Sequence, residues 1–204
     1  MNKISDFATA EIIVKKSKFI CNLSYIESEN EAKNFIKTIK KKYHDARHNC
    51  YAYIYFSEGI IMYKSSDDKE PQGSAGAPIL DVLKGKDLVN VVCVVTRYFG
   101  GTLLGVGGLV RAYSNAASLA LSETSIVNVK HYSAVKIKIN LEFVGVVQNF
   151  LIKENCEIIS TKITDKAVFD VNIELEKKEI FISKIINITS NKAVIEIAND
   201  IIIK

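Results

Sequence analysis

Two loops in the first half of the chain hold most of its glycines and the side chains best suited to binding chemistry. Eight of the ten glycines fall between Gly73 and Gly108. The first loop, residues 65–76, is polar and acidic, and the second, residues 99–108, follows a long apolar run. Glycine permits a positive φ angle or a close approach of the backbone to a ligand. A functional site is therefore expected at these two loops.

Residues 99–108 have the composition of an anion-binding turn. A glycine-rich turn between a strand and a helix exposes backbone N–H groups at the positive end of the helix dipole. Arg97 and Arg111 flank the turn, and a guanidinium group can bind phosphate through two hydrogen bonds. No lysine follows the glycines as in a P-loop, and Val110 stands where the dinucleotide-binding pattern has glycine. Turn formation alone would also explain the glycines, so both interpretations stay open.

Three carboxylates in the first loop, Asp67, Asp68 and Glu70, allow more than one role. Carboxylate oxygens bind magnesium, and a carboxyl group can act as a general acid or base. A solvated acidic turn is the more ordinary outcome. A further alternative is an ion pair that would order the surrounding cleft. Its acidic partner would be Asp68 or Glu70, and its basic partner would be Arg47, Arg97 or Arg111.

Histidine, cysteine and serine side chains raise a catalytic and a metal-binding alternative. His48 could act with the carboxylates, and Cys50 or Ser74 would then be the nucleophile. His44, His48 and Cys50 could also bind zinc, but a structural zinc site takes four ligands and three are visible. The sequence has no nucleophile elbow, HExxH motif or cofactor motif. It therefore predicts no catalytic residue, no metal ion and no cofactor.

The favoured hypothesis is one binding cleft on the first domain, in which arginines and backbone amides hold an anionic or acidic partner. Its predicted residues are Arg47, His48, Asp67, Asp68, Glu70, Arg97, Gly100, Gly101, Gly105, Gly107, Gly108 and Arg111. Lysines of residues 15–18 and 33–42 would add a basic surface for RNA phosphates, although such lysines more often form a solvated helix face.

Apolar periodicity predicts the elements that position this cleft. The predicted elements are strands at 18–26, 49–56, 60–64 and 88–98 and helices at 28–43, 78–83 and 109–121. Ser28 is the expected helix cap, and residues 57–59 form a hairpin turn. The run at 88–98 is almost wholly apolar, as in a strand covered on both faces. The first domain, residues 1–128, is predicted to be an α/β sandwich with a mixed sheet.

The pattern changes after a predicted linker at residues 122–130. The predicted elements are strands at 135–143, 157–164, 168–175 and 193–203 and helices at 145–155 and 178–187. This βαββαβ order is the ferredoxin-like arrangement. The second domain is therefore placed at residues 131–204, and the fold class of the chain is α+β.

Composition excludes several classes of protein. Hydrophobic residues make up 48% of the chain and charged residues 25%, which is typical of a globular protein and not of a disordered one. It has no apolar run long enough to span a membrane and no apolar signal core near the N-terminus. The net charge of +4 is mild, and the four cysteines are too widely spaced to suggest a disulfide framework. We expect a cytoplasmic protein with no membrane partner and no DNA sequence readout.

Four motifs in this chain resemble those of the YigZ/IMPACT family and occur in the same order. They are KSKF at 16–19, DARHNCYA at 45–52, SDDKEPQGSAG at 66–76, and the stretch 95–113 that begins VTRYFGG and ends GVGGLVRAY. Lys69 departs from the family pattern, because similar sequences often have glycine or another small residue there. The resemblance covers essentially the whole chain.

The resemblance implies both a fold and a class of function. The first domain would be similar to the second domain of ribosomal protein S-five, and the second domain to a C-terminal domain of elongation factor G. Eukaryotic relatives regulate translation in the stress response by binding a ribosome-associated activator of a stress kinase. The chain is thus expected to be a regulatory binding protein that contacts the ribosome, RNA or a ribosome-associated factor. Two alternatives are an enzyme acting on a small phosphorylated substrate and a protein-interaction module without an anion site.

Overall fold

The computed structural model describes residues 1–57 and 60–203, and the chain divides into two compact units, Met1–Asn128 and Val129–Lys204. Each unit is an antiparallel sheet covered by helices, which confirms the α+β class. The predicted turn at 57–59 falls on residues 58 and 59, which lie outside the described residues.

The first unit is built on a five-stranded sheet. Its elements are β1 (Asn2–Ile4), β2 (Ala8–Val14), β3 (Ser17–Tyr25), α1 (Glu29–Lys42), β4 (His48–Ser57), β5 (Ile60–Ser66), α2 (Gly76–Gly85), β6 (Val91–Tyr98), α3 (Val106–Ser122) and β7 (Ile126–Asn128). The strand order of the main sheet is β2-β3-β6-β4-β5.

The main sheet is antiparallel, so the expectation of a mixed sheet is wrong. Strands β3 and β4 flank the helix α1 in sequence and run parallel to each other, as in a βαβ unit. They are not neighbours, however, because β6 inserts between them and pairs antiparallel with both. A late strand that enters the middle of a sheet cannot be inferred from the local pattern of apolar residues.

Strand β6 is the centre of the fold. Its residues 91–97 are all buried, which confirms the prediction from the apolar run. Val92 and Val94 pack in the cluster beneath α1, whereas Cys93 and Val95 pack on the opposite face with α2 and α3. The sheet is therefore covered by helices on both faces.

Helix α1 begins at its predicted cap. The Ser28 hydroxyl accepts a hydrogen bond from the Glu31 amide at 3.2 Å, and Glu31 Oε2 accepts one from the Glu27 amide at 2.9 Å. The buried residues Ala32 and Ile36 recur at helical spacing on the face toward the sheet.

Helices α2 and α3 each begin at one of the two loops that the sequence analysis singled out. Helix α3 buries Ala112, Ala116, Ala117 and Ala120 almost completely against the sheet and α2. These short side chains let the helix backbone approach the sheet closely. The start of α3 is consequently held firmly beside the end of β6.

The predicted linker at 122–130 contains a strand. Strand β7 pairs antiparallel with β1, and the register joins Asn2 to Asn128 and Ile4 to Ile126. A pairing between residues more than 120 positions apart leaves no local signal in either segment, which is why the linker prediction missed it.

The second unit is the predicted plait. Its elements are β8 (His131–Ile139), α4 (Val144–Lys153), β9 (Glu157–Ile163), β10 (Ala167–Glu174), α5 (Lys178–Ile188) and β11 (Val194–Ile203). The sheet order β11-β8-β10-β9 is that of a ferredoxin-like fold. The predicted strand 135–143 starts earlier and ends at Ile139, since residues 141–143 form a 3-10 turn that leads into α4. Among the described residues, no helix has both the length and the apolar character needed to cross a bilayer.

Candidate functional site

A buried ion pair lies at the base of the candidate site. Arg97, near the end of β6, places Nη1 2.7 Å from Oε1 of Glu70, and the two side chains are 6% and 3% exposed. The Tyr113 hydroxyl of α3 donates to the same oxygen of Glu70 at 2.8 Å. Glu70 and Arg97 were one of the ion pairs considered from the sequence, and this pair joins the acidic loop to β6 and α3.

The guanidinium group of Arg97 is held on several sides. Its Cζ lies 5.5 Å from the centre of the Phe19 ring and 5.7 Å from that of Phe99. Arg97 Nη2 lies 3.5 Å from Ser17 Oγ, which also accepts a hydrogen bond from the Gly100 amide at 3.1 Å. Arg97 Nε makes no hydrogen bond to any described residue. Arg97 is thus part of the wall of the site and is not a mobile surface arginine.

Neither nucleophile of the enzyme alternative is arranged for attack. Cys50 is buried, and its Sγ lies 3.0 Å from the Asp67 carbonyl oxygen and 3.3 Å from the Tyr113 hydroxyl. Burial, with a smaller effect of the nearby carboxylates, raises the pKa of the Cys50 thiol to about 12. Its nucleophilic thiolate is therefore scarce at neutral pH. Ser74 is also buried, and its hydroxyl donates to the Pro71 carbonyl oxygen at 2.6 Å.

Asp67 caps helix α2 from within the acidic loop. Its Oδ1 accepts hydrogen bonds from the amides of Ala75 at 2.9 Å and Gly76 at 2.8 Å, and its Oδ2 accepts one from Gly73 at 2.8 Å. Partial burial raises the pKa of the Asp67 carboxyl, but the three N–H groups outweigh burial and hold the pKa below its usual value. The N-terminus of α2 is therefore already occupied by the protein's own carboxylate.

Residues 67–70 form a tight turn that directs Glu70 inward. The Glu70 amide donates to the Asp67 carbonyl oxygen at 2.9 Å, and both central residues are left-handed, with φ of 41° at Asp68 and 73° at Lys69. This is the mirror-image type of β-turn, which favours glycine and asparagine. The left-handed backbone at Lys69 explains why a small residue suits this position.

Asp68 and His48 fasten the turn to its surroundings. Asp68 Oδ1 lies 2.9 Å from Lys40 Nζ, and its Oδ2 accepts a hydrogen bond from the Asn49 amide at 2.7 Å. His48 Nδ1 lies 2.9 Å from the Asp68 carbonyl oxygen. Because a carbonyl oxygen can only accept, Nδ1 carries the proton, and Nε2 is the nitrogen that lies 4.0 Å from Glu70 Oε1.

Gly100 and Gly105, both in the second loop, have different structural roles. Gly100 lies so close to the hairpin between β2 and β3 that a Cβ atom there would overlap the backbone of Lys16 and Ser17. Gly105, the residue that precedes α3, has φ of 69°, a value that favours glycine. The first glycine packs the loop against the sheet, and the second turns the chain into the helix.

The first turn of α3 presents free backbone amides. Helix α3 has 17 residues, no side-chain cap and no acidic residue in its first turn. The amides of Val106, Gly107 and Gly108 find no acceptor within the described part of the chain. Their partial positive charge, reinforced by the helix dipole, is the feature that binds anions. In this respect α3 differs from α2, whose N-terminus is capped by Asp67.

An open cavity of about 360 Å³ borders the start of α3, and we call it the α3 pocket. It is lined by Arg47, His48, Glu70, Pro71, Arg97, Phe99, Leu103, Leu104, Gly105, Val106 and Leu109. Its apolar rim is open to solvent, with Leu103 83% exposed, Val106 57% and Phe99 43%. Arg47 is exposed as well and brings a positive charge to the opening. The pocket thus combines anion-binding groups with apolar surface.

A larger cavity of about 630 Å³ lies in the second unit, but its charges satisfy one another. Lys130 Nζ is 2.6 Å from Glu174 Oε1, and Lys184 Nζ is 2.8 Å from Glu154 Oε1. Because these lysines are neutralised within the cavity, it is less suited to an anionic partner than the α3 pocket is.

Two family models match this chain. That of the Impact N-terminal domain matches residues 15–121, a range that contains every residue lining the α3 pocket, and that of a domain of unknown function (DUF1949) matches residues 144–192. The chain belongs to the IMPACT family. The IMPACT domain accordingly forms most of the first unit.

The similarity to IMPACT family members extends over nearly the whole chain. "IMPACT family member YvyE" of Bacillus subtilis is 36% identical over 183 residues, which cover 90% of this chain and 84% of that protein. An "IMPACT family member" of Haemophilus influenzae is 34% identical over 185 residues, covering 90% of each. A crystal structure described as that of a hypothetical protein matches with a TM-score of 0.60 and 26% identity, and covers 95% of both chains.

Within the IMPACT domain, the α3 pocket brings together five of the predicted site residues. Arg47, His48, Glu70, Arg97 and Gly105 line it. Of the others, Asp67 and Asp68 anchor the acidic loop, Gly100 and Gly101 shape the second loop, and Gly107 and Gly108 contribute amides of the first turn of α3. Arg111 is exposed one turn farther along α3 and does not line the pocket.

The sequence did not predict two parts of the candidate site. Ser17 is buried beneath the loop and links Gly100 to Arg97, whereas its KSKF motif indicated only a family resemblance. The apolar rim was not predicted, because the glycines around it indicate backbone functions and not side-chain contacts. Leu103 and Val106 were nevertheless a usable signal, since large apolar residues are unusual in a turn-forming loop.

Proposed function

We propose that this chain is a cytoplasmic, translation-associated binding protein that contacts the ribosome, RNA or a ribosome-associated factor through the α3 pocket. The observation that carries the proposal is the convergence of the uncapped start of α3 with the exposed guanidinium of Arg47 on one open cavity. Uncompensated donors of this kind, here the first amides of a helix and an arginine that directly precedes β4, favour recognition of an anionic group.

The state of the polar side chains supports binding in preference to catalysis. Glu70 is held by Arg97 and Tyr113, and the Asp67 carboxylate is held by three amides. A general acid or base must reach its substrate, and these carboxylates are turned into the protein. With the thiol of Cys50 buried, the pocket lacks an assembled set of acid, base and nucleophile among the described residues.

The proposed mechanism is occupancy of a preformed site. The buried Glu70–Arg97 pair fixes the pocket wall, so the amides of α3 need no rearrangement to receive an anion. Preorganised donors gain affinity because little conformational entropy is lost when the partner binds. The regulatory effect would come from the partner being held, with no chemical change in it.

The link to translation rests on the family. This chain contains the IMPACT domain, and the sequence resemblance implies that eukaryotic relatives regulate translation in the stress response. A shared fold is a weak guide to function on its own. The proposal therefore depends on a direct test with ribosomes.

That test is co-sedimentation of the purified protein with ribosomes at low and raised salt, comparing wild type with Arg47→Ala. Arg47 is the suitable target because its side chain is exposed, whereas removing Arg97 would break a buried ion pair. We expect association that weakens with salt, and a clear further loss in Arg47→Ala.

The matched control is Lys86→Ala, which removes one exposed positive charge at the other end of α2 and outside the pocket. Lys86→Ala should co-sediment like wild type. Equal losses of co-sedimentation in the two variants would mean that only the net charge of the protein matters. Ribosome association that is unchanged in Arg47→Ala would favour an interaction module without an anion site. No association under any salt condition would remove the ribosome from the proposal.

A further inference from the structure

We propose that the α3 pocket receives the C-terminal end of a partner polypeptide whose last residue is apolar. This inference rests on the proposed function, because it names the chemistry of the partner that the same pocket binds. It assigns the free terminal carboxylate to the start of α3 and the last side chain to the apolar rim.

The carboxylate half of the inference comes from unsatisfied donors. The amides of Val106, Gly107 and Gly108 have no acceptor among the residues that the structure describes. Gly105 and Val106 line the pocket, and Gly107 and Gly108 follow them in the first turn of α3 without belonging to the lining. Arg97 lines the same pocket and is 5% exposed, and its Nε, which has no exposed surface, makes no hydrogen bond to any described residue, so the wall behind the helix start holds one further unsatisfied donor. Successive free amides are a known means of capturing a terminal carboxylate.

The apolar half comes from the residues beside those amides. Leu103 and Val106 belong to the same short segment as the helix start, and Phe99 faces the pocket from the other end of the loop. Their exposed fractions run from 43% at Phe99 to 83% at Leu103, although they line a cavity. A ligand that uses both features must carry its negative charge and its apolar group within one residue. A chain terminus with an apolar side chain has that arrangement, whereas an internal aspartate or glutamate places its carboxylate on the side chain itself.

The size of the pocket also suits a chain terminus. A cavity of about 360 Å³ is at the small end for ligand sites, which suffices for one or two residues. The rim extends beyond such a ligand, since Leu103 is 83% exposed. Exposed apolar surface continuing outside the cavity favours a longer chain over a free small acid, because the preceding residues of a peptide can cover it.

The count of charges argues against RNA as the occupant of this pocket. Glu70 neutralises Arg97, and Arg111 does not line the cavity, so Arg47 is the one exposed arginine in the lining. Nucleic-acid affinity comes mainly from several cations that neutralise successive phosphates. One free guanidinium with an apolar rim is better matched to a single carboxylate.

The experiment is an NMR titration of the full-length protein, labelled with nitrogen-15, with the peptide acetyl-Gly-Ser-Gly-Val-Leu bearing a free carboxylate. The same peptide with a C-terminal amide, acetyl-leucine, inorganic phosphate and hexauridylate are titrated in parallel. We expect shifts at the amides of Gly105, Val106 and Gly107. The free carboxylate should bind at least about tenfold tighter than the amide, because its hydrogen bonds to the amides are charge-assisted.

A charge placed in the first turn of α3 tests the location. Gly107→Asp adds a negative charge beside the free amides, and a Cβ there meets only Arg111 Nη1, at 3.9 Å. Ser118→Asp adds the same charge on an exposed position of the same helix, about 16 Å farther along. Gly107→Asp should abolish the peptide-induced shifts, and Ser118→Asp should keep them.

The outcomes separate this inference from the proposed function. Equal binding of acetyl-leucine and the peptide overturns the assignment to a polypeptide end, and tighter binding of hexauridylate at the same amides overturns it in favour of RNA. No peptide shifts, with ribosome association still dependent on Arg47, refutes the inference and leaves the proposed function standing. Peptide binding without any ribosome association supports the inference and removes the ribosome.

Discussion

Glu70 Oε1 lies 2.7 Å from Arg97 Nη1, and both partners are more than nine-tenths buried. Glu70 is the last residue of the left-handed turn of the acidic loop, and Arg97 is the second-to-last residue of the central strand β6. The pair joins two segments that the sequence separates by 27 positions, and it forms the inner wall of the α3 pocket. The stability of the first unit and the shape of its candidate site should therefore depend on the same contact.

Removing one partner of this pair should destabilise the first unit strongly. Glu70→Ala leaves the Arg97 guanidinium buried without its counter-charge, and we expect a loss of about 3–5 kcal/mol in the free energy of unfolding. Urea unfolding followed by tyrosine fluorescence measures it, because eight of the nine tyrosines lie within residues 1–128. Adding Arg97→Ala should cost much less than a second equal loss, since the two changes share one interaction.

The control for that prediction is an exposed ion pair of the same unit. Lys18 Nζ lies 2.7 Å from Glu11 Oε2, with side chains 42% and 44% exposed. Glu11→Ala should change the free energy of unfolding by less than about 1 kcal/mol. Similar losses for Glu70→Ala and Glu11→Ala would contradict the structural role given to the buried pair.

Gly100 should not tolerate even one added methyl group. A Cβ there would overlap the backbone of Lys16 and Ser17, and backbone atoms cannot move aside as a flexible side chain can. Gly100→Ala should therefore lower the free energy of unfolding of the first unit by about 1–3 kcal/mol. Gly145→Ala is the matched control, because a Cβ at Gly145 meets nothing within 4 Å and lies in the first turn of α4. It should be neutral or slightly stabilising, and a neutral Gly100→Ala would show that the loop does not press against the hairpin.

The sequence predicted those elements whose signal is local. The apolar run of β6, the Ser28 cap of α1 and the plait of the second unit follow from periodicity over neighbouring residues. The insertion of β6 between β3 and β4 and the pairing of β1 with β7 depend on partners far along the chain. Long-range pairing of this kind is decided by packing of the whole sheet and not by any one segment.

The candidate site was predictable in its location more than in its details. Glycines and charges marked the two loops, and five predicted residues do line one pocket. The role of each residue followed from burial, which a single sequence does not give. Arg97 and Arg111 looked alike as free donors, yet one is 5% exposed in an ion pair and the other is exposed outside the pocket. The left-handed turn at Lys69 was not predictable from the residue type. Glycine at this position would have indicated a positive φ angle, whereas lysine does not.

Cys50 should be unreactive in the folded protein. Burial raises the pKa of its thiol to about 12, and the side chain has no exposed surface. Only about one thiol in ten thousand would then be ionised at pH 8. Treatment of the native protein with iodoacetamide should label the half-buried Cys156 first and Cys50 only after unfolding in urea, as peptide mass spectrometry would show. Labelling of native Cys50 as fast as Cys156 would reopen the enzyme alternative.

Asp67 should make the stability of the first unit sensitive to acid. Partial burial raises the pKa of its carboxyl, but hydrogen bonds from Gly73, Gly76 and Ala75 hold the folded-state pKa below the unfolded value. A lowered folded-state pKa adds stability that is fully present above the unfolded pKa of about 3.9 and is lost as the pH falls through the folded-state pKa. The effect therefore belongs to the window below about pH 4.

Asp67→Asn should flatten that acid-dependent loss of stability. The amide side chain does not ionise, so the free energy of unfolding of the variant should fall less than that of wild type between about pH 5 and pH 2. At pH 7 the variant should be less stable by about 1–3 kcal/mol, because charge-assisted hydrogen bonds to the start of α2 are lost. Asp81→Asn is the control, since Asp81 is exposed on the same helix and accepts no hydrogen bond from a described residue. Urea unfolding across this pH range measures both variants, and parallel curves for wild type and Asp67→Asn would rule out a capping role for the carboxylate.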